Sequence, residues 1–266
     1  MPYAIQNGVR VYWEEEGSGE PLLMIMGLSF SMAMWGELRG VLAKNFRTIL
    51  LDNRGVGHSD VPKRRYNMAQ MAEDAASVLD AAGVRTADVI GVSMGGMIAQ
   101  ELILQHPERV RKLVLGCTHC GGLQTVLPDA RALYVLTSPF MTRPARLRAV
   151  LPLIYDPHTP KERIDADLDR LKGKKPNIIG YLQQMAAILP WHSYNRLPQI
   201  HAPTLVIHGE TDRLVPPANA PILANRIPGA QLKMIPQASH LFYTDQPVIS
   251  RDSLLGFLKE DSYVRL

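Results

Sequence analysis

The chain has 266 residues, 46% hydrophobic and 20% charged, which is enough to close a sizeable core and too apolar for a disordered tail protein. Its 29 Lys and Arg against 25 Asp and Glu leave a net charge of +4, short of the clustered excess that phosphate backbones demand, so no nucleic-acid partner is expected. Two cysteines make no disulfide framework, the opening residues show neither a basic leader nor an apolar h-region, and apolar runs such as Leu22 to Met26 stop far short of the roughly twenty residues that cross a bilayer. A cytoplasmic protein in reducing surroundings, off the membrane, is the expectation.

Short aliphatic runs alternate with longer amphipathic stretches, the pattern of strands crossing over through helices into a parallel sheet. Val9 to Glu15 alternates and precedes the turn Gly17-Ser18-Gly19, and Leu22 to Met26 is continuously apolar. These first strands are read as antiparallel. Trp35 to Leu42 reads as a short helix, Phe46 to Leu51 as a strand, and Met68 to Ala82 as a helix stopped by Gly83. Strand Asp88 to Val92 runs into helix Met94 to Gln105, and Val110 to Gly116 is again a buried strand. Between residues 121 and 199 the strand signals vanish, nine of the chain's twenty prolines appear, and short helices take over. Almost eighty residues without structure of their own are improbable inside a compact domain, so the segment reads as an inserted helical cap on a core of residues 1–120 and 200–266. Alternation then resumes with strand Thr204 to Gly209, helix Ala218 to Arg226, strand Gln231 to Ile235 and a closing helix Val248 to Lys259.

Chemistry concentrates where the second half of the sheet ends. Gly91-Val92-Ser93-Met94-Gly95 is a G-x-S-x-G pentapeptide with a strand before it and a helix after it. A serine at so tight a bend needs glycines at both flanks and projects its Oγ above the sheet, beside the partial positive charge of a helix N-terminus. Such a serine needs a base and a group to orient that base. Asp212, in the loop after Thr204 to Gly209, and His240, just past Gln231 to Ile235, stand in the order Ser, acid, His at intervals of 119 and 28 residues. Glu210 is the rival acid. Of the remaining histidines, His106, His158, His192, His201 and His208 suit surface or capping roles, and His58 belongs to the glycine-rich turn Asp52-Asn53-Arg54-Gly55-Val56-Gly57-His58-Ser59, read as structural. Neither a dinucleotide fingerprint nor a P-loop is present.

The second half of an oxyanion hole is expected in the loop after Leu22 to Met26, where Gly27 permits a sharp turn and the N–H of Leu28 can pair with that of Met94. Cys117-Thr118-His119-Cys120 is a C-x-x-C without a second cysteine pair, read as two ordinary thiols at a strand end; no metal is expected.

With these motifs the sequence resembles the α/β-hydrolase superfamily over essentially its whole length. It is most similar to small capped esterases and lactonases of the 3-oxoadipate enol-lactonase type, with some likeness to antibiotic methylesterases such as aclacinomycin methylesterase. Many relatives carry His-Gly at the oxyanion loop, whereas this chain has Met26-Gly27. The resemblance implies an α/β fold, a mostly parallel eight-stranded sheet flanked by helices with an inserted helical cap. It also implies hydrolysis of a small-molecule ester or lactone without a cofactor, by a monomer or homodimer. A serine nucleophile argues against dehalogenase or epoxide hydrolase chemistry. C–C bond hydrolysis and perhydrolysis would use the same Ser93, Asp212 and His240, and a non-enzymatic binding protein of this fold is the remaining alternative. Phe140, Met141, Met185, Leu189 and Trp191 are candidates to line the substrate pocket. The cap's eleven Lys and Arg against six Asp and Glu could steer an anionic substrate.

Overall fold

The computed structural model describes residues 2–138, 141–172 and 177–260. In chain order the elements begin with β1 (Tyr3–Gln6), β2 (Val9–Glu16), β3 (Pro21–Ile25), α1 (Gly36–Ala43), β4 (Arg47–Leu51) and α2 (Met68–Ala81). They continue with β5 (Ala87–Val92), α3 (Met94–Gln105), β6 (Val110–Gly116), then α4 (Ala130–Thr137), α5 (Arg143–Ile154), α6 (Lys161–Arg170) and α7 (Ile178–Ile188). The chain returns to the sheet with β7 (Thr204–Gly209), α8 (Asn219–Arg226), β8 (Gln231–Ile235), α9 (Phe242–Asp245) and α10 (Pro247–Lys259).

The eight strands form one sheet in the order β1-β2-β4-β3-β5-β6-β7-β8. From β4 to β8 every pairing is parallel, while β2 pairs antiparallel with β1 and with β4. The expected pair of antiparallel first strands is therefore corrected: β3 takes a place between β4 and β5 and runs parallel to both. A five-residue strand buried on both faces needs a parallel interior position, and the alternating β2 suits the outer one. The strand β1 and the short helix α9 carry too few residues for a periodic signal.

Alternation along the central strands divides the core between two faces. Leu23 and Ile25 of β3, Val89 of β5 and Leu113 and Leu115 of β6 pack with Met71, Leu79, Ile98 and Leu102 of α2 and α3. Leu22, Met24, Ile90 and Val114 pack on the other side with Leu38, Leu42, Leu254 and Phe257 of α1 and α10. At α2 the start is fixed by a capping box in which Asn67 Oδ1 accepts the Gln70 N–H and the Gln70 side chain accepts the Asn67 N–H.

Helices α4 to α7 lie between β6 and β7 and add no strand to the sheet. This excursion leaves and returns at one place: Gly121 bridges His192, and the Ser193 N–H donates to Cys120 O at 2.8 Å. Over the sheet, α7 meets the Asp52 to Ser59 turn backbone to backbone, since a Cβ added to Gly180 would fall 2.1 Å from Gly55 O. Among the described residues, no helix is long and apolar enough to cross a membrane.

Candidate active site

Parallel register sets the height at which each strand ends. Leu51, Ile25, Gly91, Leu115 and Val206 are successive Cα partners across β4, β3, β5, β6 and β7, so Met26, Ser93, Cys117 and His208 come out along one carboxyl edge, where open α/β sheets place their sites.

Ser93 occupies the bend between β5 and α3 with φ 59° and ψ −124°, a backbone conformation that costs a non-glycine residue on the order of 1–3 kcal/mol. Its surroundings over-determine that bend. The Ser93 N–H donates to Gly116 O at 2.9 Å and Thr118 Oγ1 donates to Ser93 O at 2.7 Å. A Cβ on Gly91 would lie 2.3 Å from Gly95 O, and one on Gly95 would lie 2.1 Å from Ile25 O. The two glycines therefore let α3 start directly against the ends of β5 and β3. The same packing carries Gly27 to Ser93, for a Cβ there would stand 2.9 Å from Ser93 Cβ and 3.3 Å from its Oγ. Among the described residues neither the Leu28 N–H nor the Met94 N–H is spent on a protein acceptor. The Gly27 loop and the first turn of α3, where the oxyanion donors are expected, thus both adjoin the serine.

Asp212 and His240 meet as the spacing suggests. His240 Nδ1 lies 2.8 Å from Asp212 Oδ2, and Asp212 Oδ1 accepts the N–H groups of Leu214 and Val215 at 2.8 and 2.9 Å. Burial opposes charge on Asp212, but the His240 ring and the hydrogen bonds of His208 and His240 outweigh it and hold the carboxyl well below the usual carboxylate range. An ionised carboxylate can only accept, so His240 Nδ1 carries a proton and Nε2 is left as the basic nitrogen. Glu210 is exposed, whereas Asp212 is buried against the imidazole. The hydrogen bonds made among the described residues do not include one between Ser93 Oγ and the His240 ring; without substrate such contacts are often long.

His208 differs from the surface or capping role expected of it. It is fully buried, with Nε2 2.9 Å from Val215 O and 3.3 Å from Asp212 Oδ2, and its Nδ1 has no hydrogen-bond partner among the described residues. A carbonyl only accepts, so Nε2 bears the hydrogen, and His208 serves as a second donor beside Asp212. The His58 ring is exposed and rests on Tyr12 at 4.9 Å. Its turn is structural: Asp52 accepts the Met32 and His58 N–H groups, Asn53 Nδ2 donates to Met26 O at 2.7 Å, and Arg54 pairs with buried Asp74 at 2.5 Å.

Cys117 and Cys120 are free and buried. Cys117 Sγ, Asp212 and His240 offer ligand atoms within 4.8 Å of one another, a spacing that could hold a metal ion. Burial, followed by the charge of Asp212, pushes the Cys117 thiol far up, and the carboxylate and imidazole are already spent on each other. The donors therefore favour a hydrogen-bonded pair over a thiolate ligand set.

The pocket candidates separate. Phe140 lies outside the described residues. Met141 packs half-buried against Ala132, Val135 and Leu153. Met185 is half-buried on α7, Leu189 is 73% exposed, and Trp191 is buried with its indole N–H donated to Glu101 at 2.7 Å. Sequence reasoning passed over Gln184 and His119. Fully buried on α7, Gln184 accepts the Ser29 N–H at 2.8 Å and donates to Arg54 O at 2.9 Å, which ties the Gly27 loop to the Asp52 turn. The His119 ring is pushed down to about 4 by burial first and then by His208 and His240. Nothing in a glutamine inside an amphipathic helix marks it before its neighbours are known.

Comparison with known proteins agrees with this architecture. Residues 20–247 match the family model of the alpha/beta hydrolase fold. The RutD protein of Azorhizobium caulinodans, for which carbamate hydrolysis is the proposed activity, is 32% identical over 98% of this chain and 99% of its own length. A poly(3-hydroxyalkanoate) depolymerase of Ectopseudomonas oleovorans is 32% identical over 91% of this chain and 85% of its own. Among solved structures, the enol-lactonase of Burkholderia xenovorans LB400 superposes with a TM-score of 0.85 at 27% identity, covering 97% of this chain and all of that one. With the family model spanning most of its length and its strands in this order, the chain belongs to the alpha/beta hydrolase family and is a hydrolase.

Proposed function

We propose that the protein cleaves a carboxylic ester or lactone of a small molecule through an acyl-enzyme on Ser93. The observation that carries this reading is the buried Asp212–His240 pair, 2.8 Å apart on the carboxyl edge that also presents Ser93 at its positive-φ bend. His240 Nε2 takes the Ser93 proton as Oγ attacks the carbonyl carbon, and Asp212 stabilises the imidazolium. The tetrahedral oxygen receives the N–H groups of Leu28 and Met94. Collapse transfers the proton to the leaving alcohol oxygen. Water, activated by His240 in turn, releases the acid and frees the serine.

The enol-lactonase and the polyester depolymerase are both named for substrates whose scissile bond is an ester, which favours this class. Residues 121–199 act as a cap, a role supported by Gln184, whose side chain reaches from α7 to the loops beside Ser93. The test is a hydrolysis screen of p-nitrophenyl esters of graded chain length together with lactones and enol-lactones. Ser93→Ala should lower kcat by roughly 10⁴- to 10⁶-fold in a folded protein, because the three groups act as a unit. A fluorophosphonate should label Ser93 in the wild type and nothing in the variant. Turnover of a C–C substrate or peroxide-dependent halogenation in place of ester hydrolysis would assign the same residues to another reaction.

A further inference from the structure

The loops of Asp212 and His240 are joined by two further carboxylates that the proposed reaction leaves unused. Asp245 of α9 is buried. Its Oδ2 accepts the N–H of Ser239, the residue before His240, at 2.7 Å, and the N–H of Asp156 at 3.3 Å; its Oδ1 accepts Thr159 Oγ1 at 2.5 Å. Asp156 is buried as well, and its Oδ2 accepts the hydroxyl of Thr211, the residue before Asp212, at 2.6 Å. Its Oδ1 takes the His158 N–H and faces the His158 ring, both at 2.9 Å. Two contacts run the same way: Ser239 Oγ donates to Leu153 O at 3.1 Å and the Leu241 N–H to Ile154 O at 3.0 Å. Neighbouring buried carboxylates are costly, and neutral side chains would fill this space at less expense. The pair stands where each member grips the residue directly before the acid or the base.

We propose that Asp156 and Asp245 are positioning residues that hold the Asp212 loop and the His240 loop in one register from the 153–159 segment. The inference rests on reading His240 as the base. Proton transfer tolerates displacements of only a fraction of an ångström, so slack in either loop lengthens the Asp212–His240 bond and mis-aims Nε2. Burial, above its three donors, pushes Asp245 up to about 6, with the charge of Asp156 adding to it. Asp156 faces it from the 155–159 turn and carries the His158 ring on its own far oxygen, with Tyr155, Cys117 and Tyr243 around Asp245; Arg163 binds the Asp245 main-chain carbonyl. Protonation on acidification removes an acceptor and loosens Ser239.

The test compares Asp245→Asn, Asp156→Asn and the milder Thr211→Val with the wild type, by kinetics and by the far-downfield proton resonance of the His240 Nδ1–H. Asp245→Asn should lower kcat by roughly 10- to 100-fold with KM nearly unchanged. The acidic limb of its kcat profile should fall from a two-proton to a one-proton slope. In all three variants the resonance should shift or broaden. Variants that lose only thermal stability, with kcat, limb slope and resonance as in the wild type, overturn the proposal. The resonance is read without substrate, so a Ser93→Ala variant with wild-type kcat would refute the ester-hydrolase reading while leaving the positioning result to stand on its own.

Discussion

A serine hydroxyl reaches a carbonyl as a nucleophile only when its proton has a destination, and in the reaction proposed above that destination depends, at the scale of single residues, on Asp212. Its depressed pKa keeps it ionised through the working range, so His240 Nδ1–H is always answered and Nε2 remains the acceptor. Asp212→Asn presents an amide that can rotate its NH₂ toward Nδ1 and strand the imidazole in the wrong tautomer, which should cost about 10⁴-fold in kcat. Exposed Glu210 makes no such contact, and Glu210→Gln should leave kcat within about twofold. Reversed losses would move the acid by two positions. The same shift fixes a stability trend. A carboxyl whose folded pKa lies below its unfolded value stabilises the protein above the unfolded pKa, and that contribution drains as pH falls below about 4. Urea titrations should show a weaker acid dependence in Asp212→Asn than in the wild type.

Elements place these residues, and one side chain on α7 tests how. Gln184→Ala would leave the part-buried Ser29 N–H without its acceptor and Arg54 O with the Tyr66 hydroxyl as its remaining side-chain donor, a loss of about 1–3 kcal/mol of stability. If the Gly27 loop is what aims the Leu28 N–H, kcat should also fall by roughly tenfold or more with little change in KM. Lost stability with unchanged kcat would confine Gln184 to holding α7 down. Much of this scale was legible in the sequence. The strand, G-x-S-x-G and helix around Ser93 write a local geometry into a few residues, and Asp212 and His240 follow strands whose apolar runs are plain. What stayed hidden is contact across long separations. Ser29 and Gln184 are 155 residues apart, and Thr211 meets Asp156 across 55. The place of β3 was also misread, because an apolar run shows that a strand is interior without showing which strands flank it. Trp191 looked like a pocket residue on apolarity alone, yet its indole N–H is fixed by Glu101 on α3.

For the whole molecule the question is what the 121–199 segment does to selectivity. The chain closes on itself at Cys120 and Ser193, while α7 and the end of α5 are tied to the loops of the site, which supports the proposed role of a cover over Ser93. Met185 is half-buried on α7 and is the apolar candidate we propose as the substrate contact to test. Each methylene buried there is worth about 0.8 kcal/mol, close to a fourfold change in kcat/KM. Met185→Ala should therefore shift chain-length preference among p-nitrophenyl esters, whereas Leu189→Ala, at a largely exposed position, should leave it unchanged. The segment also carries eleven of the chain's Lys and Arg against six Asp and Glu. Several of these are neutralised locally, Lys161 on Asp165, Arg170 on Asp167 and Arg196 on Glu101. If the remainder steers substrate, kcat/KM for a carboxylate-bearing ester should fall as ionic strength rises from about 10 to 150 mM, where the Debye length drops from roughly 30 to 8 Å. A neutral ester of equal length should stay level. Equal salt sensitivity for both would remove steering and leave the apolar contact of Met185 as the segment's contribution to choice of substrate.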